Sequence, residues 1–533
     1  MKAKACTRCR QAKLRCDPDS DLPDVCRRCR LINKSCVFDR TFQATSKSRR
    51  LKELEAEVTR LRQAATTINV SDSLPTAQPS QAPTGSVNAP CCLSDKVLGN
   101  VQLTAAQVTE SFRTFFLNCH PYLPLAIPTC PEIVYDKCPF LFWTICTAAS
   151  STDTLLQIQP NIQAMIGQIV VSPPRSVEVV QALLILCMWP FPFFSTLGDP
   201  SFLYCGLATQ IGLQIGLHKP SLSQEFSSRK QVLNVGDDVR KSTWIVCYIV
   251  NQMQAGRLGV PLSIQADFTF LRTLDTLQQS QPLVILCRIS RITAEFTYTI
   301  GASAENPSGL VDPLTRINLV RYFCSELNEL KRSNIADMSQ VVEIAYLTSR
   351  LHLWSFILHD DISRSQNVIN FIYEAEKDAT TLIQLASEKN LSRCPFHLAR
   401  AVLYAAITLI KILGSPYARE RNILIDQVQM AGRTLASAVR VEDDHVHRWS
   451  RHLQKLLTLK DRKRTPPVRS RMGASLMYDA IRVLKEDRGL SDDDIPNASV
   501  VGENSTPDWT NLDIGYDLWD LDGMDWNDIG GLL

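Results

Sequence analysis

Six cysteines fall within the 31 residues from Cys6 to Cys36, and they limit what the start of this chain can fold into. Cys6-x2-Cys9-x6-Cys16 is followed, after a nine-residue loop, by Cys26-x2-Cys29-x6-Cys36, so one half-motif is written twice. Thiols this dense serve either as disulfides in an oxidising compartment or as metal ligands in a reducing one. Residues 1–30 contain no apolar run of the kind that forms the core of a signal peptide, so metal is the expected answer.

Coordination number sharpens that expectation. Structural zinc takes four ligands in a tetrahedron. Six thiolates are two too many for one ion and two too few for two, unless two sulfurs are shared. The duplicated half-motif suits two zinc ions per chain, and by symmetry the first cysteine of each half, Cys6 and Cys26, is the natural bridge. The other reading is a single four-cysteine zinc with two spare thiols.

The chain has 533 residues, 45% of them apolar, which is enough for several domains and a large core. Its net charge of +3 conceals a strong asymmetry. Residues 1–62 hold 17 Lys/Arg against 8 Asp/Glu, a net of +9, whereas residues 489–533 hold 11 acidic residues and no Lys or Arg. A basic head and an acidic tail imply opposite partners. No stretch reaches the roughly 18 to 20 consecutive apolar residues of a membrane span, so no membrane partner is expected. The longest candidate, Val179 to Trp189, reads as a buried helix, and isolated cysteines such as Cys119, Cys187 and Cys247 read as buried thiols.

Cations are threaded through the cysteine motif: Arg8, Arg10, Lys13 and Arg15 in the first half, Arg27, Arg28, Arg30 and Lys34 in the second. Six thiolates and two zinc ions subtract about two charges, leaving a surface that favours a polyanion and binds it with steep salt dependence. The segment Cys6-Thr-Arg-Cys9-Arg10-Gln-Ala-Lys13-Leu-Arg15-Cys16-Asp17 resembles the DNA-binding head of the fungal binuclear zinc-cluster transcription factors. That resemblance implies two short helices around two zinc ions. It also implies that the first helix enters the major groove of double-stranded DNA and that Lys13 reads a CGG-type triplet. Lysine suits the task because guanine presents acceptors there. Arg10 and Arg15 beside it are expected to clamp phosphates, which positions without specifying. One departure concerns the loop: the family places a proline close before its fourth cysteine, whereas here Pro23 lies three residues ahead of Cys26.

From Leu51 the pattern becomes a heptad. Leu51, Leu54, Val58 and Leu61, followed by Ala65 and Ile68, fill a and d positions. In a parallel homodimer the flanking positions set Arg50 against Glu55 and Glu57 against Arg62, both opposite in charge. Two heads on one coil would read two half-sites. The alternative is a lone amphipathic helix. Lys47-Ser-Arg49-Arg50-Leu-Lys52 fits either nuclear import or a phosphate contact.

Residues 66–95 turn to Thr, Ser, Gln, Ala and Pro without Lys or Arg, the composition of a flexible tether. From about Val101 to Glu486 the pattern is helical. Ser176 is placed to cap a helix that Pro190 and Pro192 end, and Asp199-Pro200 opens another. Gln181 to Pro190, Asp199 to Phe202, Gly216 to Pro220, Arg240 with Trp244, and Gly259-Val-Pro261 resemble the same family's middle region, in the right order. The resemblance implies a regulatory domain that answers to a small-molecule effector. No phosphate-binding glycine loop, His-Glu-x-x-His or Gly-x-Ser-x-Gly is present, so an enzyme is not expected. His445 and His447, near Asp443 and Asp444, form the one histidine cluster and are expected on a solvated loop. The basic block Lys460 to Arg464 with Arg469 and Arg471 is an exposed loop or an import signal.

From Asp508 onward, seven Asp interleave with Trp509, Leu512, Tyr516, Trp519, Leu521 and Trp526. Acidic and hydrophobic alternation is the composition of a disordered activation domain that offers its aromatics to coactivators. The alternative is a tail folded back on the basic middle. The expected organisation is a zinc-cluster DNA-binding domain over 1–45, a coiled coil over 46–68 and a disordered linker over 69–98. An all-α regulatory domain over 99–488 and an acidic activation tail over 489–533 complete it. Such a chain is expected to be a nuclear, homodimeric activator of RNA polymerase II genes at paired CGG-type triplets, serving a metabolic or specialised-metabolite pathway. The alternative is a DNA-binding repressor or adaptor whose middle domain senses a metabolite.

Overall fold

The computed structural model describes residues 5–7, 9, 15–17, 25–31, 35–38, 94–195, 198–226, 235–278, 281–334, 338–359, 362, 365–459 and 469–487. The chain divides into two compact units, Met1–Ala89 and Pro90–Leu533. In the first, one short helix, α1 (Arg27–Leu31), follows Cys26, and Thr7 and Cys9 are also helical. The heptad segment, the Pro-rich stretch up to residue 93, residues 460–468 and the acidic tail lie outside the described residues.

The second unit opens on a hairpin, β1 (Lys96–Leu98) and β2 (Val101–Leu103), paired antiparallel with Val97 opposite Gln102. This corrects the expectation of helix from Val101. Strands of three residues are too short to display a period of two, so the pattern was not readable. Apart from one isolated bridge between Arg471 and Gly473, every regular element after it in the described residues is a helix. Helix α2 (Ala105–Thr114) begins at a capping box: Thr104 Oγ1 accepts from the Gln107 N–H at 3.3 Å and Gln107 Oε1 accepts from the Thr104 N–H at 2.8 Å. Then come α3 (Pro131–Lys137), α4 (Pro139–Ala149), α5 (Thr152–Val171) and α6 (Val177–Met188).

Helix α6 bears out its sequence signals. The Ser176 hydroxyl accepts from the Val179 N–H, and all twelve residues are buried. Gln181, the polar residue in that apolar run, donates to Thr243 Oγ1 at 3.0 Å and so ties α6 to the later helix that carries Thr243. Helix α7 (Ser201–Gln214) starts one residue later than Asp199-Pro200 implied, with Pro200 at the cap position and Asp199 Oδ1 accepting from the Ser201 N–H at 2.9 Å. Helix α8 (Asp237–Leu258) ends at Gly259, whose φ of 65° is left-handed. A Cβ there would lie 2.5 Å from the Arg471 carbonyl oxygen, so glycine is required by both backbone and space.

The remaining helices are α9 (Phe268–Thr276), α10 (Pro282–Gly301), α11 (Pro313–Ser333), α12 (Gln340–Ser355) and α13 (Gln366–Ser387). After them come α14 (Phe396–Leu413), α15 (Arg421–Ala436), α16 (His445–Leu459) and α17 (Ser475–Asp487). Contacts run in series: α6 on α8, α8 on α10, α10 on α12, α12 on α13, α13 on α14 and α14 on α15. Helix α14 also touches α12, α16 and α17. Among the described helices it alone is long and apolar enough to cross a membrane, with mean hydropathy 1.6 over 18 residues, yet 72% of that window is buried inside the domain. Neighbouring helices cover it.

A polar network fixes α12 against α13. Arg350 is buried, and its Nε donates to Asp378 Oδ2 at 2.7 Å, Nη2 to Glu374 Oε2 at 2.9 Å and Nη1 to Asn328 Oδ1 at 2.7 Å. Trp354 Nε1 donates to the same Asp378 oxygen at 2.7 Å, and the guanidinium lies 4.9 Å from the Trp354 ring. Burial pushes the Asp378 carboxyl up, and the Arg350 charge holds part of that rise back. Removing Asp378 leaves the buried Arg350 with only the half-exposed Glu374 carboxylate and takes away the acceptor of the Trp354 N–H. Asp378→Ala is therefore expected to cost about 3 to 5 kcal/mol in denaturant unfolding, and adding Arg350→Met should recover much of the loss.

Candidate metal centre and nucleic-acid interface

The repeated half-motif folds the same way twice. In each half the N–H of the second cysteine donates to the sulfur of the first, Cys9 to Cys6 Sγ at 3.4 Å and Cys29 to Cys26 Sγ at 3.4 Å. In each half the N–H of the first cysteine donates to the sulfur of the third, Cys6 to Cys16 Sγ at 3.4 Å and Cys26 to Cys36 Sγ at 3.3 Å. The halves also exchange backbone bonds reciprocally. Thr7 N–H donates to the Val37 carbonyl at 2.8 Å, and Arg27 N–H donates to the Asp17 carbonyl at 3.1 Å. In both cases the residue after a first cysteine reaches the residue after the other half's third.

This pseudo-twofold arrangement gathers the sulfurs into two sets of four. One is Cys6, Cys9, Cys16 and Cys26; the other is Cys6, Cys26, Cys29 and Cys36, with every sulfur of a set within 4.8 Å of the rest. Cys6 and Cys26 belong to both. Their sulfurs are 3.9 Å apart, with Cys6 to Cys29 at 3.9 Å and Cys9 to Cys26 at 3.8 Å. A tetrahedron with zinc–sulfur bonds of about 2.3 Å has edges of about 3.8 Å, so the donor set fits zinc. A disulfide, at about 2.05 Å, is excluded at these distances.

Electrostatics point the same way. Cys6, Cys9, Cys26 and Cys29 are buried, and Cys16 and Cys36 half-buried. Burial opposes ionisation of Cys6, but the Cys9 N–H and the neighbouring thiols outweigh it and bring its thiol down to about 6. Cys26 moves down likewise, helped by the Cys29 N–H. The other four move up, through burial and through bonding to sulfurs beside them, Cys16 to about 12. Six thiolates in one pocket repel each other unless cations lie among them.

The predicted DNA contacts are only partly placed. Arg15 is exposed, and its Nε pairs with Asp17 Oδ1 at 2.9 Å. Arg27 is exposed and Arg28 half-buried on α1. Arg8, Arg10 and Lys13, like Leu51, Leu54, Val58 and Leu61 and the tail residues Trp509, Leu512, Tyr516, Trp519 and Trp526, lie outside the described residues. Asp17 was not foreseen as a structural residue. Its carbonyl joins the halves and its carboxylate holds Arg15, and its place directly after Cys16 was the available signal.

The histidine cluster corrects its expectation. His445 begins α16 and is buried against Phe193 and Trp449 rather than lying on a solvated loop. Asp444 Oδ1 accepts from the His447 N–H at 2.9 Å, which makes it a helix cap. Polar letters concealed the burial because the apolar partner Phe193 is distant in sequence.

Comparison with known proteins agrees with this geometry. The model of the fungal Zn(2)-Cys(6) binuclear cluster domain matches residues 4–45, and that of the fungal specific transcription factor domain matches residues 113–296. The putative transcription factor SEF1 of Eremothecium gossypii is 27% identical over 343 residues, 62% of this chain and 32% of that protein. The transcriptional regulatory protein SEF1 of Candida albicans is 24% identical over 593 residues, 91% of this chain and 64% of that protein. The putative transcription factor SEF1 of Kluyveromyces lactis is 25% identical over 371 residues, 67% of this chain and 32% of that protein. The chain thus spans between about a third and just under two thirds of the length of these relatives. No solved structure matches it. The matched domains are those of a zinc-binding regulatory protein rather than an enzyme. With a duplicated six-cysteine head over residues 4–45 and the accompanying domain over residues 113–296, the chain carries the two domains of the fungal binuclear zinc-cluster transcription factors and is similar to proteins of that kind.

Proposed function

We propose that this chain is a nuclear, homodimeric transcriptional activator that reads paired CGG-type triplets in double-stranded DNA and controls a metabolic or specialised-metabolite pathway. The observation that carries the reading is the pair of four-sulfur sets sharing Cys6 and Cys26, embedded in an arginine-rich segment. Two zinc ions per chain satisfy both sets. The cluster presents Lys13 to guanine acceptors, with Arg8, Arg10, Arg15, Arg27 and Arg28 on phosphates. The heptad residues Leu51, Leu54, Val58 and Leu61 pair two heads on one site. The acidic tail offers Trp509, Leu512, Tyr516, Trp519 and Trp526 to coactivators. A second reading, in which the middle domain senses a metabolite and restrains the output, is favoured by a buried cavity among its helices.

Three measurements test these assignments. Metal analysis should find two zinc ions per chain, with Cys16→Ser retaining one and Cys6→Ser retaining fewer because it damages both sets. Equal retention by the two variants would contradict sharing. Lys13→Ala should cost about 1 to 3 kcal/mol at CGG-type sites and relax triplet preference while keeping salt-dependent binding. A uniform loss across sequences would make Lys13 a phosphate contact. Polar substitutions at Leu54 and Leu61 together should weaken binding to paired sites at least tenfold and leave a single half-site unaffected, as read by titration on both DNAs.

A further inference from the structure

Two buried arginines of the domain show how such a charge is held. Arg350 has two carboxylates and an amide oxygen, and Arg316 is bonded to the Val311 carbonyl. Arg400, half-buried on α14, has no hydrogen bond or ion pair among the described residues. It retains accessible surface where it lines a cavity of about 100 Å³. Burial and the nearby Arg257 charge push the Arg400 guanidinium down to about 9.

The cavity lies where α6, α8, α10, α12, α14 and the start of α17 converge. On α14, His397, Arg400 and Tyr404 stand at intervals of three and four and share one face. Arg257 closes the other side, but its Nη1 is already paired with the buried Asp199 Oδ2 at 2.5 Å. Two guanidiniums therefore share one carboxylate, leaving an excess of one positive charge. The imidazoles do not compensate. Burial pushes His352 and His397 down to about 4, so both are neutral, and His397 Nδ1 is buried without a hydrogen-bond partner among the described residues. The Tyr404 hydroxyl is committed as a donor to the Gly473 carbonyl at 2.6 Å. The rest of the wall mixes apolar side chains, among them Met188, Ile289, Ile344 and Met477, with the neutral polar Gln252, Ser290, Thr293 and Thr348, and adds no carboxylate.

A half-buried guanidinium without a counter-charge is costly, and Arg350 shows that this domain can pair one with carboxylates. An orphan imidazole nitrogen beside it adds a second unmet bond. We propose that this cavity is an effector site for a small organic acid, whose carboxylate pairs with Arg400 and whose short aliphatic body lies against the methionine and isoleucine side chains. One missing negative charge calls for a monocarboxylate. The volume calls for a compact body, since a cavity of about 150 Å³ takes benzene. Three of the lining helices, α6, α8 and α10, begin within the matched family segment, and α12, α14 and α17 lie beyond it. A bound acid would hold those two halves of the domain together. The site rests on the function proposed above only in naming its occupant an effector.

Two experiments on the full zinc-loaded chain test it, and neither includes DNA, so failure here leaves the DNA reading standing. Arg400→Met should raise the unfolding temperature of the ligand-free chain, by about 2 °C or more, because it removes an uncompensated charge at nearly constant volume. An unchanged or lower temperature would mean that an acid of this chain already neutralises Arg400, and would overturn the assignment. Calorimetric titration with isovalerate and hexanoate should show binding by at least one acid. It should be at least tenfold weaker for the matching isovaleramide or hexanamide, and at least tenfold weaker in Arg400→Met. Binding by neither acid, or equal binding of acid and amide, rejects the carboxylate site.

Discussion

The head is constrained by two sulfurs, those of Cys6 and Cys26, that belong to two sets of four. Among its described residues the buried cluster consists of Cys6, Cys9, Cys26 and Cys29, with Val25 the one non-cysteine apolar side chain packed against it. A segment of that size has no conventional core, so its folding free energy must come from metal–thiolate bonds. Because Cys6 and Cys26 belong to both sulfur sets, neither half can close without the other. The reciprocal bonds from Thr7 to Val37 and from Arg27 to Asp17 are the backbone counterpart of that dependence. The surface cations are then held on a rigid base.

The second unit is stabilised in the ordinary way, by a large apolar core running through α6, α8, α10, α12 and α14. Its few buried charges stand out against that background. Exposed arginines of the head, such as Arg15 and Arg27, keep their hydration and remain available to a polyanion. Arg350 gives up hydration for carboxylates within the domain. Arg400 keeps accessible surface in its cavity and has no partner among the described residues, which is why the proposed ligand carboxylate is placed there.

What could be read from sequence was what short-range rules determine. The two shared cysteines followed from ligand number and the symmetry of one repeated spacing, and the same two recur in both sulfur sets. Ser176 and Asp199 announced their helices because a cap acts over two or three residues. Partners far apart in sequence were not readable. Asp199 also pairs with Arg257, His445 packs on Phe193, and the isolation of Arg400 emerges only when six helices surround it. Hairpin β1–β2 was missed for a different reason, since three residues per strand carry no period.

The central claim, two zinc ions joined through two shared thiolates, is tested most directly by zinc X-ray absorption on the metal-loaded full chain. Sharing predicts a shell of four sulfurs around each zinc, with no nitrogen or oxygen, together with a metal–metal scattering component. A zinc shell without that component, or one completed by nitrogen or oxygen ligands, would contradict it.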